Sequence, residues 1–173
     1  MPVRLVVEAG PHAGVSAQEM SRRARAMLAG LKLPTAELSI VLTGDDQIKK
    51  LNRQWRKKNK ATDVLAFALR EGEFGALSGD LLGDVVISIP TARRQALAAE
   101  RPLVAEVTML LAHGLLHLLG WDHDTVAKDR AMRRETDLLC AMAEKKKRTP
   151  SGITKRGTPV HAQRRDGKAR QTR

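Results

Sequence analysis

The sequence predicts an α+β domain over residues 1–144, in which a mixed sheet packs against helices, followed by a disordered basic tail over residues 145–173. Short apolar runs typical of strands are interspersed with longer segments of helical spacing, in the order β-α-β-α-β-β-α-α-α. After residue 144 no apolar periodicity remains, and basic residues, proline and glycine dominate. A chain of 173 residues suits one folded domain.

The first strand and helix are predicted from local signals. Residues 4–8, with three apolar residues between Arg4 and Glu8, indicate a short strand. Ser16, followed three residues later by Glu19, is a capping-box pattern that opens a helix. Gly30 and Pro34 close this helix, because glycine suits the position after a helix end and proline does not continue the helix.

The next strand and helix differ in the period of their apolar residues. Residues 38–43 alternate with a period of two, which is typical of a half-buried strand. Gly44 then begins a helix in which Ile48, Leu51 and Trp55 are predicted to form a buried stripe. Basic residues crowd the end of this helix, where positive charge compensates the helix dipole.

The second half of the domain is predicted to hold two strands and then three helices. The ranges are residues 64–67, 84–89, 91–99, 103–119 and 125–144, with residues 71–80 as a loop. Pro90 ends the second of these strands, and Pro102 begins the helix over residues 103–119. That helix is apolar nearly all round, so we expect it to be buried.

The composition indicates a soluble cytoplasmic protein without a membrane anchor. The single cysteine, Cys140, excludes an internal disulfide and fits a reducing compartment. The longest uncharged run, residues 107–121, is shorter than the about 20 residues that span a bilayer. The net charge is +12, of which the tail carries +10, and such a tail binds phosphates without sequence preference.

Three of the five histidines lie within eleven residues and indicate a metal site. His113 and His117 are four residues apart, so a helix places both imidazoles on one face. Gly120 ends that helix and lets His123 return to the same point. Three imidazoles suit a zinc ion with an open fourth position, which is the mark of a catalytic site.

The spacing H-x3-H-x2-G-x2-H is that of the metzincin proteases, with one departure. Those enzymes carry a glutamate as general base directly after the first histidine, where this chain has Gly114. Glycine has no proton acceptor. The sequence therefore retains the metal-binding pattern of a protease but lacks its base.

The segment His-Gly-Leu-Leu-His-Leu-Leu-Gly-Trp-Asp-His at residues 113–123 resembles the signature of the YbeY family, H-G-x-L-H-L-x-G-[WY]-D-H. Members of this family are bacterial zinc-dependent endoribonucleases implicated in ribosomal RNA maturation and ribosome quality control. Residues 52–56, 62–67 and 82–84 are also similar to family segments, and the resemblance covers roughly residues 1–144.

The resemblance implies a four-stranded sheet with the metal-bearing helix behind it and one Zn²⁺ held by His113, His117 and His123. It also implies a single-strand-specific endoribonuclease that acts on the 3′ end of small-subunit ribosomal RNA in the cytoplasm. The expected partners are single-stranded RNA, ribosomal RNA and the ribosome, with no membrane.

Two further residues are candidates for catalysis. Arg56 matches the arginine of the family segment N-x-x-[YW]-R, and a guanidinium can bind phosphate in a bidentate manner. Asp63 is a candidate base or a hydrogen-bonding partner of a metal ligand, as is Asp122 beside His123. The sequence leaves the nucleophile open.

Two alternatives to the nuclease are a metalloprotease and a non-catalytic, zinc-stabilised factor that binds RNA or the ribosome. The histidine spacing favours the protease, and Gly114 speaks against it. The basic tail favours RNA binding, but three histidines without a fourth protein ligand argue against a closed structural site. The sequence does not identify the cleavage site, the metal in the cell or the oligomeric state.

Overall fold

Nine elements follow one another in the predicted order in the computed structural model, which describes residues 3–69 and 79–145. They are β1 (Val3–Val7), α1 (Ala17–Gly30), β2 (Glu37–Thr43), α2 (Asp45–Arg56), β3 (Val64–Ala68), β4 (Leu81–Ser88), α3 (Ile89–Ala98), α4 (Leu103–Leu118) and α5 (Val126–Glu144). The predicted α+β class is confirmed. Most of the predicted loop over residues 71–80, and the predicted tail beyond Lys145, lie outside the described residues.

The four strands form one mixed sheet in the order β1-β2-β4-β3. Strands β1, β2 and β4 are parallel, whereas β3 pairs antiparallel with β4 and forms an edge of the sheet. The alternation in β2 is as predicted, because Leu38, Ile40 and Leu42 are buried while Ser39 and Val41 are only half-buried. The sheet thus has two distinct faces.

The main core lies on the face of the sheet that carries Leu38, Ile40 and Leu42, where these residues pack with buried residues of α1, α4 and α5. Helix α2 packs on the other face, where Ile48, Leu65 and Val86 form a second, smaller cluster. As predicted, α4 is buried along most of its length. In residues 3–69 and 79–145, none of the helices has the length and apolar character needed to cross a bilayer.

A serine side chain caps the N-terminus of both α1 and α3. Ser16 is the N-cap of α1, and its Oγ accepts a hydrogen bond from the Glu19 N–H at 3.3 Å. The strand predicted over residues 84–89 ends one residue too late. Ser88 ends the strand and is the N-cap of α3, so Pro90 lies in the first turn of that helix, where its missing N–H costs no bond.

The predicted buried stripe of α2 is wrong at its C-terminal end. Ile48 is fully buried and Leu51 half-buried, but Trp55 is 62% exposed. Trp55 lies in the last turn of α2, where its indole makes a T-shaped contact with the ring of Phe67 at a centroid distance of 6.2 Å. The spacing of apolar residues predicts which face of a helix is buried. It does not predict over how many turns that face is covered by the rest of the protein.

Gly114 allows α4 to approach the sheet closely. A Cβ atom at this position would lie 2.7 Å from Val85 Cγ1 and 3.2 Å from Val64 Cγ2, on β4 and β3. Any side chain here would force the helix and the sheet apart. The absence of a side chain therefore sets the distance between α4, which carries His113 and His117, and the edge strand β3.

Candidate metal centre

The end of α4 redirects the chain so that three histidines meet. The Gly120 N–H donates to the His117 carbonyl at 3.0 Å and the Trp121 N–H to the Leu116 carbonyl at 3.1 Å, which is a Schellman motif. Gly120 has a φ of +86°, a left-handed conformation that glycine adopts without strain. The chain then turns back and brings His123 to the helix face that carries His113 and His117.

The three imidazoles have a geometry that fits a metal ion. One ring nitrogen from each of His113, His117 and His123 lies within 4.8 Å of the other two. The Nε2 atoms of His113 and His117 are 3.1 Å apart. Two nitrogens of a tetrahedral zinc site lie about 3.3 Å apart, given Zn–N bonds of about 2.0–2.1 Å. The donor set and its spacing therefore fit zinc, and the role of these residues as ligands stays a prediction.

A backbone contact sets the tautomer of His117. Its Nδ1 donates to the carbonyl of Trp121 at 3.0 Å, which leaves the Nε2 lone pair directed at the cluster. Burial lowers the pKa of His117; the Trp121 carbonyl opposes this shift, while the charges of His123 and Arg56 add to it. Burial, together with His117 and His123, also lowers the pKa of His113. A lowered pKa favours the neutral imidazole, which is the form that binds a metal.

Arg56 and Asp63 lie at the same cavity as the three histidines. This cavity of about 220 Å³ is also lined by Val64 and Ala66 of β3 and by Gly114. Arg56 is the last residue of α2, and its exposed guanidinium donates from Nη2 to the carbonyl of Ala66 at 3.3 Å. The fold therefore brings both candidate catalytic residues to the histidine motif, although they are at least 50 positions earlier in the chain.

Asp63 is held by three hydrogen bonds. Its Oδ1 accepts from the Thr62 hydroxyl at 3.1 Å and from the Val64 N–H at 2.8 Å. Its Oδ2 accepts from Gln95 Nε2, on α3, at 3.0 Å. The charge of Asp63 raises the pKa of His113, against the larger effect of burial. The carboxylate is thus fixed in place, and Gln95 is a residue of this site that the sequence analysis missed.

The structure does not pair Asp122 with His123. The Asp122 carboxylate is half exposed and binds the Lys128 ammonium at 3.1 Å, on the outer surface of the turn. Met132, on α5, is buried in the main core and is not among the described residues that line the cavity.

Comparison with known proteins agrees with the resemblance of the motifs. The family model for endoribonuclease YbeY matches residues 12–144. A protein named endoribonuclease YbeY from Anaeromyxobacter sp. (strain Fw109-5) is 50% identical over 142 residues, which are 82% of this chain and 72% of the relative. Another of that name, from Syntrophotalea carbinolica, is 38% identical over 133 residues, covering 75% of this chain and 89% of the relative.

The fold also matches a solved structure. The solution structure of a Thermotoga maritima protein superposes with a TM-score of 0.58 at 19% identity, over 81% of this chain and 89% of the other. At this identity the match concerns the fold alone. Because the family model spans most of the domain and the relatives match over most of their length, the chain belongs to the YbeY family of endoribonucleases.

Proposed function

We propose that this protein is a single-strand-specific, zinc-dependent endoribonuclease. It acts in the cytoplasm on the 3′ end of small-subunit ribosomal RNA and in ribosome quality control. The observation that carries this proposal is the convergence of three histidines, Arg56 and Asp63 on one cavity in a chain of this family. The relatives' name specifies RNA as the polymer that they cleave, and the cavity supplies groups suited to a phosphodiester.

His113, His117 and His123 would hold one zinc ion, since they offer three ring nitrogens that converge and leave a fourth position open. Zinc at such a site supplies Lewis acidity, which polarises a phosphoryl oxygen and makes water a stronger acid near neutral pH. The three imidazoles are fixed by α4 and by the turn that ends it. The cavity is therefore preorganised by the fold.

Arg56 binds the phosphate of the bond that is cleaved. Its present partner, the Ala66 carbonyl, is a neutral acceptor at 3.3 Å, which makes a weak hydrogen bond that a phosphate oxygen can replace. The non-bridging oxygens gain negative charge during attack on phosphorus. A guanidinium already in place stabilises this gain more than it stabilises the ground state.

Asp63 accepts the proton of the attacking oxygen. It is the carboxylate among the described residues that line the cavity. The hydrogen bonds from Thr62, Val64 and Gln95 hold it in one orientation, as proton transfer to a positioned base requires. Its charge also raises the pKa of His113, against the larger effect of burial.

The structure argues against the protease alternative more strongly than the sequence does. A metzincin would carry its glutamate at position 114, where even a Cβ would lie 2.7 Å from Val85 Cγ1. The close contact between α4 and β4 thus leaves no room for that base. The alternative of a non-catalytic RNA-binding factor predicts RNA binding without cleavage, and the assay described next tests it.

One assay tests the proposal against both alternatives. Zinc-loaded protein is incubated with labelled single-stranded RNA, with the same RNA in a duplex and with casein, each with and without a chelator. We expect chelator-sensitive cleavage of the single strand, little cleavage of the duplex and none of casein. Cleavage of casein alone would favour the protease, and RNA binding without any cleavage would favour the non-catalytic factor.

A further inference from the structure

A second concave surface adjoins the histidine cavity. We call it the α2 groove. It lies on the face of the sheet that packs against α2 and has a volume of about 740 Å³, within the range typical of sites for small ligands. Its apolar surface is formed by Val41, Val86, Leu51, Trp55 and Phe67, and Arg56 lies on its rim.

Trp55 is the most unusual residue of the α2 groove. Its indole is 62% exposed, although it belongs to the apolar stripe of α2. The ring is supported on one side by its edge-to-face contact with Phe67, at 6.2 Å and 66°. A large aromatic surface that is held in place but left in water is an unfavourable arrangement, and it becomes favourable when a flat ligand covers it.

The α2 groove is continuous with the candidate active site. Arg56 and Ala66 line both the groove and the cavity with the three histidines. A phosphate held by Arg56 would therefore have the groove on one side and the histidines on the other. In a nucleotide the base is joined to its phosphate through a single sugar, so the base next to the bound phosphate is within reach of Trp55.

We propose that the α2 groove binds one unstacked nucleobase of the RNA substrate, against the indole of Trp55. This inference rests on the proposed function. It gives a physical reason for single-strand specificity, since a base in a duplex is already stacked and paired and is not free to enter the groove.

The charges around the groove favour a base over other parts of the RNA. Asp84 is half-buried and lines the groove, where its carboxylate can accept a hydrogen bond from the amino group of a base. The same carboxylate repels a phosphate. Arg56, at the rim, attracts the phosphate instead. The two charges thus place the base inside the groove and the backbone at its edge.

The first test substitutes Trp55 in the zinc-loaded, full-length protein. Single-turnover cleavage of a labelled single-stranded RNA is measured over a range of protein concentrations, which separates binding from the maximal rate. We expect Trp55→Ala to raise the half-saturating concentration about 5- to 150-fold, the effect of removing one base–aromatic contact. Trp55→Phe should recover most of this loss, whereas Trp55→Leu, which is apolar without a ring, should not. Leu138→Ala, at an exposed apolar residue of α5, is the control and should change nothing.

A direct readout of contact comes from fluorescence. The chain has two tryptophans, Trp55 and Trp121. In a Trp121→Phe protein the tryptophan emission comes from Trp55 alone. When RNA is added, this emission should be quenched at the rate at which the RNA binds. The converse protein, Trp55→Phe, leaves Trp121 as the reporter and should be quenched much less.

The second test identifies the base. A series of RNAs lacks one base at each position near the cleaved bond. One of these RNAs should bind the wild-type protein as weakly as intact RNA binds Trp55→Ala, and on that RNA the substitution should have no further effect. An equal effect of Trp55→Ala on every RNA of the series, or none on intact RNA, would overturn the proposal.

Two other results would also overturn it. Trp55→Ala could unfold at a clearly lower denaturant concentration and yet keep its affinity for RNA. In that case Trp55 contacts another part of this chain, which covers the groove, and not a nucleobase. If it cleaves RNA normally but no longer binds ribosomes, the groove takes a protein. If the wild-type protein cleaves no RNA, the proposed function is wrong. If the wild type and the Trp55 variants cleave RNA equally well, only the assignment of the groove is wrong.

Discussion

At the scale of single residues, His117 links the candidate metal site to the turn that follows α4. One of its nitrogens donates to the Trp121 carbonyl at 3.0 Å, and the other lies 3.1 Å from His113 Nε2. The same side chain therefore stabilises the turn and presents a lone pair to the cluster. A loss of this residue should affect metal binding far more than it affects the fold, because the imidazole is only half-buried.

We expect His117→Ala to lower the zinc content of the purified protein sharply, since two ligands bind zinc much more weakly than three. Metal analysis at matched protein concentration measures this. His12→Ala is a suitable control, because His12 contacts the Glu8 carbonyl and lies outside the cluster. Full stoichiometric zinc in His117→Ala would exclude the proposed set of ligands.

Asp63 allows a test of the proposed base. Asp63→Asn keeps the shape of the side chain but removes its charge, so cleavage should fall about 10²- to 10⁴-fold while zinc content stays unchanged. Gln95→Ala removes only one hydrogen bond to the carboxylate and should have a smaller effect, which should disappear in the Asp63→Asn background. The pH dependence of single-turnover cleavage completes the test. A wild-type rate in Asp63→Asn would show that the base is another group.

The residues of the site differ in how far the sequence predicts them. The histidines are found from spacing alone, because their relation is local to one helix and its turn. Arg56 and Asp63 became candidates only through the family resemblance, since nothing in their spacing relates them to position 113. Gln95 gave no signal at all, because a glutamine on a helix is usually a surface residue.

At the scale of elements, the distance between α4 and the sheet depends on Gly114. Alanine is the better helix former by about 1 kcal/mol, but overpacking against β4 typically costs about 1–3 kcal/mol. Because the nearest atom would be Val85 Cγ1, at 2.7 Å, we expect the clash to outweigh the gain. Gly114→Ala should therefore lower the midpoint of urea unfolding.

A double-mutant cycle makes this prediction specific. Val85→Ala removes the nearest atom that a Cβ at position 114 would meet and leaves only the contact with Val64 Cγ2 at 3.2 Å, so Gly114→Ala should cost much less stability in this background. Urea unfolding of the four proteins gives the coupling energy. An equal loss of stability in both backgrounds would mean that the cost of Gly114→Ala does not come from the contact with β4.

The order of the nine elements was predictable, but their arrangement in space was not. Each strand or helix carries its own period and end signals, as the Ser16 cap and the alternation in β2 show. The strand order β1-β2-β4-β3 depends on pairing between residues far apart in the chain, for which the sequence has no local signal. The exposure of Trp55 was missed for the same reason, because it depends on how far the rest of the protein covers this face of α2.

At the scale of the whole molecule, most of the net positive charge is separated from the candidate site residues along the sequence. Residues 145–173 carry a net charge of +10 and residues 1–144 only +2. Charge of this kind attracts RNA at a distance and contributes affinity that depends on salt but not on sequence. Among the described residues, in contrast, the three histidines, Arg56 and Asp63 line one cavity.

We expect deletion of residues 145–173 to weaken RNA binding and to flatten its dependence on salt, because fewer counterions are released on binding. Cleavage of a short RNA at a saturating concentration should persist. Binding is measured at several salt concentrations and cleavage under single-turnover conditions. A truncated protein that binds zinc and RNA but cleaves nothing would show that the tail belongs to the catalytic machinery.

The most direct test of the whole account concerns Arg56, which joins the histidine cavity to the α2 groove. Single-turnover cleavage of a labelled single-stranded RNA should fall about 10²- to 10³-fold in Arg56→Ala, the usual cost of removing one donor to a developing negative charge. Arg56→Lys should recover only part of this rate, because an ammonium lacks the planar pair of donors.

Zinc content and fold should be unchanged in both Arg56 variants, and Arg53→Ala, an exposed basic residue on the same helix, should cleave at nearly the wild-type rate. That result would establish a phosphate-binding guanidinium beside the three histidines. Wild-type rates in Arg56→Ala and Arg56→Lys would contradict the account, because the cavity would then lack the group that distinguishes a phosphodiester from a peptide.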